Sequence, residues 1–336
     1  MGGQKNGRAE KWEAKKWEAK KWEAKKWEAK KWEAKKWEAK KWEAKKWNQK
    51  RVRNYFGDKL RFSNPNCWTV SRNMPITTPI ELRYYTQHEF GRVAYEVVHH
   101  AFKVHAKLGR IFKESVFRST LKQILGSRSV EEFEIRLTHK GYEKRLYLDL
   151  LVDQGCPFEL KATESLVEAH QCQLIQYLML TGLSHGKLIN FGMDCVDHQF
   201  VNSHEPLSQR QRFRLDRVDW IDSASTDRIE QTAIDLVRDW GTGLSRSLYK
   251  ETIIELLGGE DQCSGFTHAN WKGAQTGRQS VNLIAPFLAF EITCFKQDLD
   301  HYLSHLRRFL QNTDLEAILW VNIASGCLRL QRITKE

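Results

Sequence analysis

The chain has 336 residues, enough for two hydrophobic cores and too many for one small domain. Its net charge of +12 is unevenly placed: residues 1–73 hold 23 Lys/Arg against 9 Asp/Glu, and residues 74–336 hold 31 against 33. Bulk basicity therefore implies a polyanion partner for the first segment alone, and the balanced charge of the rest argues against tight non-specific DNA binding by that part alone. Seven cysteines, from Cys67 to Cys327, include no C-x-x-C pair, and no apolar run reaches bilayer length. With no secretory signal in evidence, a reduced, cytoplasmic protein without membrane segments is expected.

In chain order, the first feature is a repeat of Trp-Glu-Ala-Lys-Lys that sets a tryptophan every five residues from Trp12 to Trp47. The unit favours helix, but five residues turn a helix by about 140°, so the tryptophans wind around it and form no stripe. A cationic helix of that kind suits nucleic acid or acidic lipid. The plainer reading, which we favour, is a low-complexity tract such as tandem DNA repeats encode, with 1–73 as a tail and Met74 as a candidate native start.

Beyond it, Val93, Val97, Val98, Ala101, Phe102 and Val104 predict a helix over 89–107, and a second is expected over 112–125, closed by Gly126-Ser127. The period then changes to two. Strands are predicted at 133–137, 146–152 and 158–163, separated by turns at His139-Lys140-Gly141 and Asp153-Gln154-Gly155. A helix over 167–180 and a buried strand over 187–191 follow. Helix, three strands, helix, strand implies an α/β fold with a mixed sheet covered by helices.

The chemistry falls on the second and third strands. Glu159 and Lys161 point to one face because strand side chains alternate. A hairpin centred on Gln154 sets Asp149 opposite Glu159. Two carboxylates so close repel unless a cation lies between them, and hard oxygen ligands suit Mg²⁺ or Mn²⁺ with phosphate oxygens. Lys161 would then orient or help deprotonate an attacking water and steady developing negative charge. By itself the triplet also describes an ordinary charged hairpin.

The stretches Val104–Gly109, Glu114–Phe117, Asp149–Val152, Phe158–Ala162, His170–Leu178, Thr181–Leu183 and Leu188–Gly192 give residues 93–200 a resemblance to the GxxExxY proteins of the PD-(D/E)XK nuclease superfamily. The resemblance implies a restriction-endonuclease-like αβββαβ core and Mg²⁺- or Mn²⁺-dependent cleavage of phosphodiester bonds in nucleic acid, DNA foremost. It implies Asp149 and Glu159 as metal ligands, Glu114 as a further metal or water ligand, and Lys161 as the catalytic lysine. Gln173 and Tyr177 match the Q-x-x-x-Y motif at the active site; their i, i+4 spacing shares a helix face, though Tyr177 also suits core packing. His105 matches the pattern too but reads better as a structural histidine. The name motif is incomplete, with Ile111 and Phe117 where Gly and Tyr are expected. The alternative function is therefore a weak or inactive nucleic-acid-binding or scaffold protein that keeps the fold.

The C-terminal part resembles the first at a constant offset of 132: Gly109–Gly126 aligns without gaps on Gly241–Gly258, Phe158-Glu159 on Phe290-Glu291 and Asn190 on Asn322. At the site positions the second part has Arg246 for Glu114, Val281 for Asp149, Thr293 for Lys161 and His305 for Gln173, with only Glu291 kept. It nonetheless holds Gly243 and Tyr249 at the name-motif positions. We expect a nuclease-like domain over 74–204 and a degenerate second copy over 205–336, packed on the first as an intramolecular pseudo-dimer; the rival reading is an unrelated α/β domain.

Overall fold

A computed structural model of the protein describes residues 75–335; the tryptophan repeat lies outside them. Helix α1 (Gln87–Leu108) starts where Thr86 and Glu89 form a reciprocal capping box, and it buries the stripe Phe90, Ala94, Val97, Val98, Ala101 and Val104. Gly109 ends it at φ 74°, a conformation a glycine adopts without penalty. Helix α2 (Glu114–Leu125) follows, burying Phe117, Leu121 and Leu125.

The first sheet has six strands in sequential order: β1 (Ile76–Thr77), β2 (Ser129–His139), β3 (Tyr142–Val152), β4 (Cys156–Lys161), β5 (His185–Asn190) and β6 (Asp197–Asn202). Only β4 and β5 pair in parallel, with α3 (Glu168–Thr181) as their crossover. The expected elements are all present within a few residues of their predicted ends. Edge strands β1 and β6 were not expected: β1 is two residues long, and β6 reads as Asp-His-Gln-Phe-Val-Asn, mostly polar.

The β3–β4 turn carries Asp153 and Gln154 at positive φ. Gly155 is required there because a Cβ would lie 1.8 Å from the Arg83 carbonyl oxygen. This turn sets the pairs Val152↔Cys156, Leu151↔Pro157 and Leu150↔Phe158, the register centred on Gln154.

The second half comprises α4 (Leu207–Arg210), β7 (Arg214–Val218), α5 (Ala224–Trp240), α6 (Arg246–Leu256), α7 (Glu260–Cys263), β8 (Ser264–Trp271), β9 (Ala274–Ala285), β10 (Leu288–Thr293), α8 (Leu299–Gln311), β11 (Ala317–Ala324) and β12 (Cys327–Thr334). Its sheet runs β8-β9-β10-β11-β12-β7 and is also mixed, with β10 and β11 parallel. Strand β10 begins and ends 132 residues after β4, and α6 and β11 begin 132 after α2 and β5. One hydrogen-bond pair recurs at the same offset. Asn190 Nδ2 donates to the Thr163 carbonyl at 2.9 Å and Asn190 Oδ1 accepts from Thr163 N at 3.0 Å. Asn322 does the same with Phe295, at 3.0 and 2.8 Å. The edges differ: β7 lies parallel beside β12, whereas β1 lies antiparallel beside β2.

One apolar cluster spans both halves, uniting Phe133, Ile135 and Leu178 with Ile234, Val237, Trp240, Leu248 and Phe290. Arg210 is buried at their junction and donates to the carbonyls of Trp240, Thr242 and Met179. Trp240 is fully buried, and its indole Nε1 donates to the Thr138 carbonyl at 3.0 Å. Trp240→Ala is expected to cost about 3–5 kcal/mol of unfolding free energy. Urea denaturation measures this, and a loss below about 1 kcal/mol would show that the halves do not depend on this contact.

Candidate active site

The β3–β4 ladder ends at Leu150↔Phe158, and the strands part beyond it. The Leu160 N–H is then free to bond Asp149 Oδ2, at 2.8 Å. Asp149 and Glu159 are thus set on adjacent strands where the sheet opens. Lys161, two residues past Glu159, returns to the same face, and its ammonium donates to Glu159 Oε1 at 2.7 Å.

Glu114 comes from the first turn of α2 and brings a third carboxylate. Lys161 Nζ lies 3.7 Å from Glu114 Oε2 and 3.9 Å from Asp149 Oδ2. The four residues that sequence pattern and resemblance singled out therefore converge on one ammonium. The cluster is largely buried, with Asp149 8% exposed, Glu159 1% and Lys161 9%.

A fifth group, Arg118, was missed. Its Nη1 donates to Asp149 Oδ1 at 3.0 Å and its Nη2 to Glu132 Oε1 at 2.5 Å. The signal was available: Arg118 follows Glu114 by four residues and shares its helix face. Glu132, the other end of this clamp, sits at φ 48° in β2.

Burial dominates the electrostatics. It pushes the Glu159 carboxyl up to about 8, aided by the Asp149 charge and opposed by Lys161. Glu114 is also raised, by burial and then by Asp149. For Lys161 burial works downward, but the three carboxylates outweigh it and the ammonium is held above its ordinary value. With no cation among these acids, Lys161 is thus favoured as a positively charged ammonium.

Gln173 and Tyr177 meet each other on α3, Nε2 donating to the phenol oxygen at 3.1 Å. The Tyr177 ring belongs to the shared core, and burial pushes its hydroxyl up to about 12. Among the described residues neither bonds Glu114, Asp149, Glu159 or Lys161. His105 Nε2 lies 2.9 Å from the Met193 carbonyl oxygen, tying the end of α1 to the loop after β5.

Among the described residues no three His, Cys, Asp or Glu side chains form a ready-made metal cage. The donor set still fits a small hard cation that keeps most of its waters, because Asp149 and Glu159 supply carboxylate oxygens and one of these is spare. Glu159 Oε2 is buried with no hydrogen-bond partner. An orphaned, desolvated carboxylate oxygen is costly in a metal-free fold and suits a cation ligand.

The matching positions of the second half are chemically closed. Arg246, in place of Glu114, donates to Glu291 Oε1 at 2.6 Å, and the Tyr302 hydroxyl adds a bond to the same oxygen at 3.1 Å. Thr293, in place of Lys161, is bonded to Asn322 and Trp320. The name-motif tyrosine also finds a use here. The Tyr249 hydroxyl donates to the Gly241 carbonyl at 2.5 Å and accepts from Leu244 N at 3.2 Å, so it braces the loop before α6. Its counterpart Phe117 stacks on Phe191 with ring centroids 4.2 Å apart.

Comparison with known proteins gives three findings. No curated protein matches the chain. Among solved structures, the one titled "Crystal structure of SSO0001" is similar at a TM-score of 0.23, with 20% identity, covering 44% of this chain and 71% of that one. Residues 91–202, about a third of the chain and the stretch that carries Glu114, Asp149, Glu159, Lys161, Gln173 and Tyr177, match the family model of the PD-(D/E)XK nuclease superfamily.

Proposed function

We propose that the protein is a Mg²⁺- or Mn²⁺-dependent nuclease that hydrolyses phosphodiester bonds, with DNA as its substrate, at the single site formed by Glu114, Asp149, Glu159 and Lys161. The observation that carries this reading is the convergence of three carboxylates on one buried ammonium, with Glu159 Oε2 left unpartnered. Asp149 and Glu159 would hold the cation, and Glu114 would take a further position on it or on a water. The chemistry supplied by Mg²⁺ or Mn²⁺, when bound, is polarisation of the phosphoryl group and a more acidic water.

The chain's own residues do the rest. Lys161, protonated, donates to a phosphate oxygen and stabilises the negative charge that grows there as the bond to the leaving oxygen breaks. Tyr177, also protonated, serves as a hydrogen-bond donor fixed by Gln173 and bears on positioning. Arg118 holds Asp149 through one oxygen and leaves the carboxylate oriented by the Leu160 N–H.

Within this reading residues 74–204 are the nuclease domain, of the GxxExxY kind. Residues 205–336 are its degenerate copy, a built-in pseudo-dimer partner whose shared offset, sheet order and asparagine bonds support a common origin. The free cysteines of the described residues suit a reducing, cytoplasmic compartment. Among those residues no helix is long and apolar enough to cross a membrane.

A second reading, a nucleic-acid-binding scaffold without turnover, is favoured by one observation: Arg118 occupies Asp149 Oδ1. Incubating the full chain with linear, circular and single-stranded DNA in Mg²⁺, Mn²⁺ or EDTA separates the two. Cleavage with either metal and none in EDTA is expected. DNA that is bound but never cut with either metal would establish the scaffold.

A further inference from the structure

On the sheet face opposite Glu159 lies a second polar group without a role. Lys187 pairs in register with Phe158, so its side chain shares the face of Phe158. It is only 3% exposed, yet among the described residues no acid and no hydrogen-bond acceptor reaches its ammonium. The Phe200 ring centroid lies 3.4 Å from Nζ, and the His198 imidazole is near enough to feel the ammonium's charge. Burial, with no acid to oppose it, pushes this amine down to about 8. A cation–π contact offsets only part of that desolvation.

The ammonium opens into a cavity of about 420 Å³ between α1 and the outer strand β6. Its floor is Gly91 and Ala94, and its walls are Tyr95, Phe102 and Phe200, aromatic side chains 79%, 40% and 56% exposed. Exposed aromatics around a concave apolar floor with one buried charge are the composition of a small-molecule site. The size is within the range such sites occupy. His99 and His198 also line the cavity, and burial followed by the Lys187 charge holds the His198 imidazole toward its neutral form; one ammonium with no arginine beside it then matches a single negative charge and not a phosphate dianion. The flat rings of Phe102 and Phe200 match a flat apolar body.

We propose that this cavity binds a small aromatic carboxylate, its carboxylate on Lys187 Nζ and its ring against Phe102, Tyr95 and Phe200. The site is separate from the cluster around Lys161 and does not depend on the nuclease reading. The test is calorimetric titration of the full chain with 2-naphthoate, with its neutral isostere 2-naphthamide, and with AMP as a dianionic phosphate that also carries a flat ring. Naphthoate is expected to bind wild type at least about tenfold more tightly than the amide and than AMP, since a buried charge left unpaired penalises the neutral ligand. Lys187→Met, which removes the charge and keeps the volume, is expected to erase that preference. Gly91→Leu supplies a variant independent of the charge. Beyond the local helix backbone nothing lies within 4 Å of a Cβ built at Gly91, so a side chain has room to start there, and the leucine is expected to occupy the cavity and abolish naphthoate binding. The proposal is overturned by equal binding of acid and amide, by no binding to wild type, or by tighter binding of AMP. A preference that survives in Lys187→Met, or wild-type affinity in Gly91→Leu, overturns it as well.

Discussion

Lys161→Met is expected to lower the rate of DNA cleavage by about 10²–10³-fold, with KM little changed. The lysine lies within reach of Glu114, Asp149 and Glu159 together, whereas Arg118 pairs with Asp149 alone of the three, and those acids hold the lysine protonated. It therefore acts on charge that develops during the reaction, which places its effect in kcat. Removing it also leaves the buried carboxylates of Asp149 and Glu159 facing each other beside the half-buried Glu114, a loss of about 3–5 kcal/mol if the buried pair stays ionised. Melting the variant in Mg²⁺ alongside the rate measurement separates unfolding from lost chemistry. Lys161→Arg keeps the charge, but its planar fork replaces a compact ammonium, so only weak rescue is expected. A folded Lys161→Met variant that cuts within about fivefold of wild type would remove the lysine from the mechanism.

Glu159→Gln should move stability and activity in opposite directions. The folded carboxyl is raised from 4.5 to about 8, so it holds its proton more tightly than the unfolded chain does. Its contribution to stability is then fully present below about 4.5 and is lost as pH rises to about 8. Glutamine does not titrate and removes one of three negative charges that Lys161 and Arg118 must balance. In the absence of metal, the variant is expected to match wild type near pH 5 and to exceed it by about 2–4 kcal/mol at pH 9. It should at the same time lose cleavage and lose the stabilisation that saturating Mg²⁺ confers on wild type. Chemical denaturation across pH, with and without Mg²⁺, reads all three. A variant less stable than wild type at pH 9 would mean that Glu159 is paid for by its ion pair and not held in reserve for a cation.

The main elements of the first half were legible in sequence because their signals are local. A two-residue alternation from Phe133 to Leu137, a Gly-ended helix and a turn centred on Gln154 each depend on neighbours alone. The register of β3 on β4 followed from that turn as far as Leu150 and Phe158; Asp149 and Glu159 lie one step beyond, where the strands part. Arg118 was legible only in part: its spacing from Glu114 placed it on the right helix face, but its partner Asp149 is brought to it by β3 and not by α2 itself. Lys187 was less legible still. It reads as one polar residue at the start of an apolar strand, and its burial depends on β6 and α1 closing over it. Glu132 was also hidden, because its positive φ inside β2 is a tertiary feature. In the second half, β10 and the start of α6 lie 132 residues after β4 and α2, the offset seen in the sequence. That offset did not anticipate that Arg246 and Tyr302 would occupy Glu291, which requires side-chain geometry.

The most direct measurement compares two matched variants of the full chain on circular DNA in Mg²⁺, Asp149→Asn in the first half and Glu291→Gln in the second. Asp149→Asn is expected to reduce the cleavage rate by at least about 10²-fold, and Glu291→Gln to leave it within about twofold of wild type. Equal loss from both, or loss from Glu291→Gln alone, would contradict a single site built on Glu114, Asp149, Glu159 and Lys161.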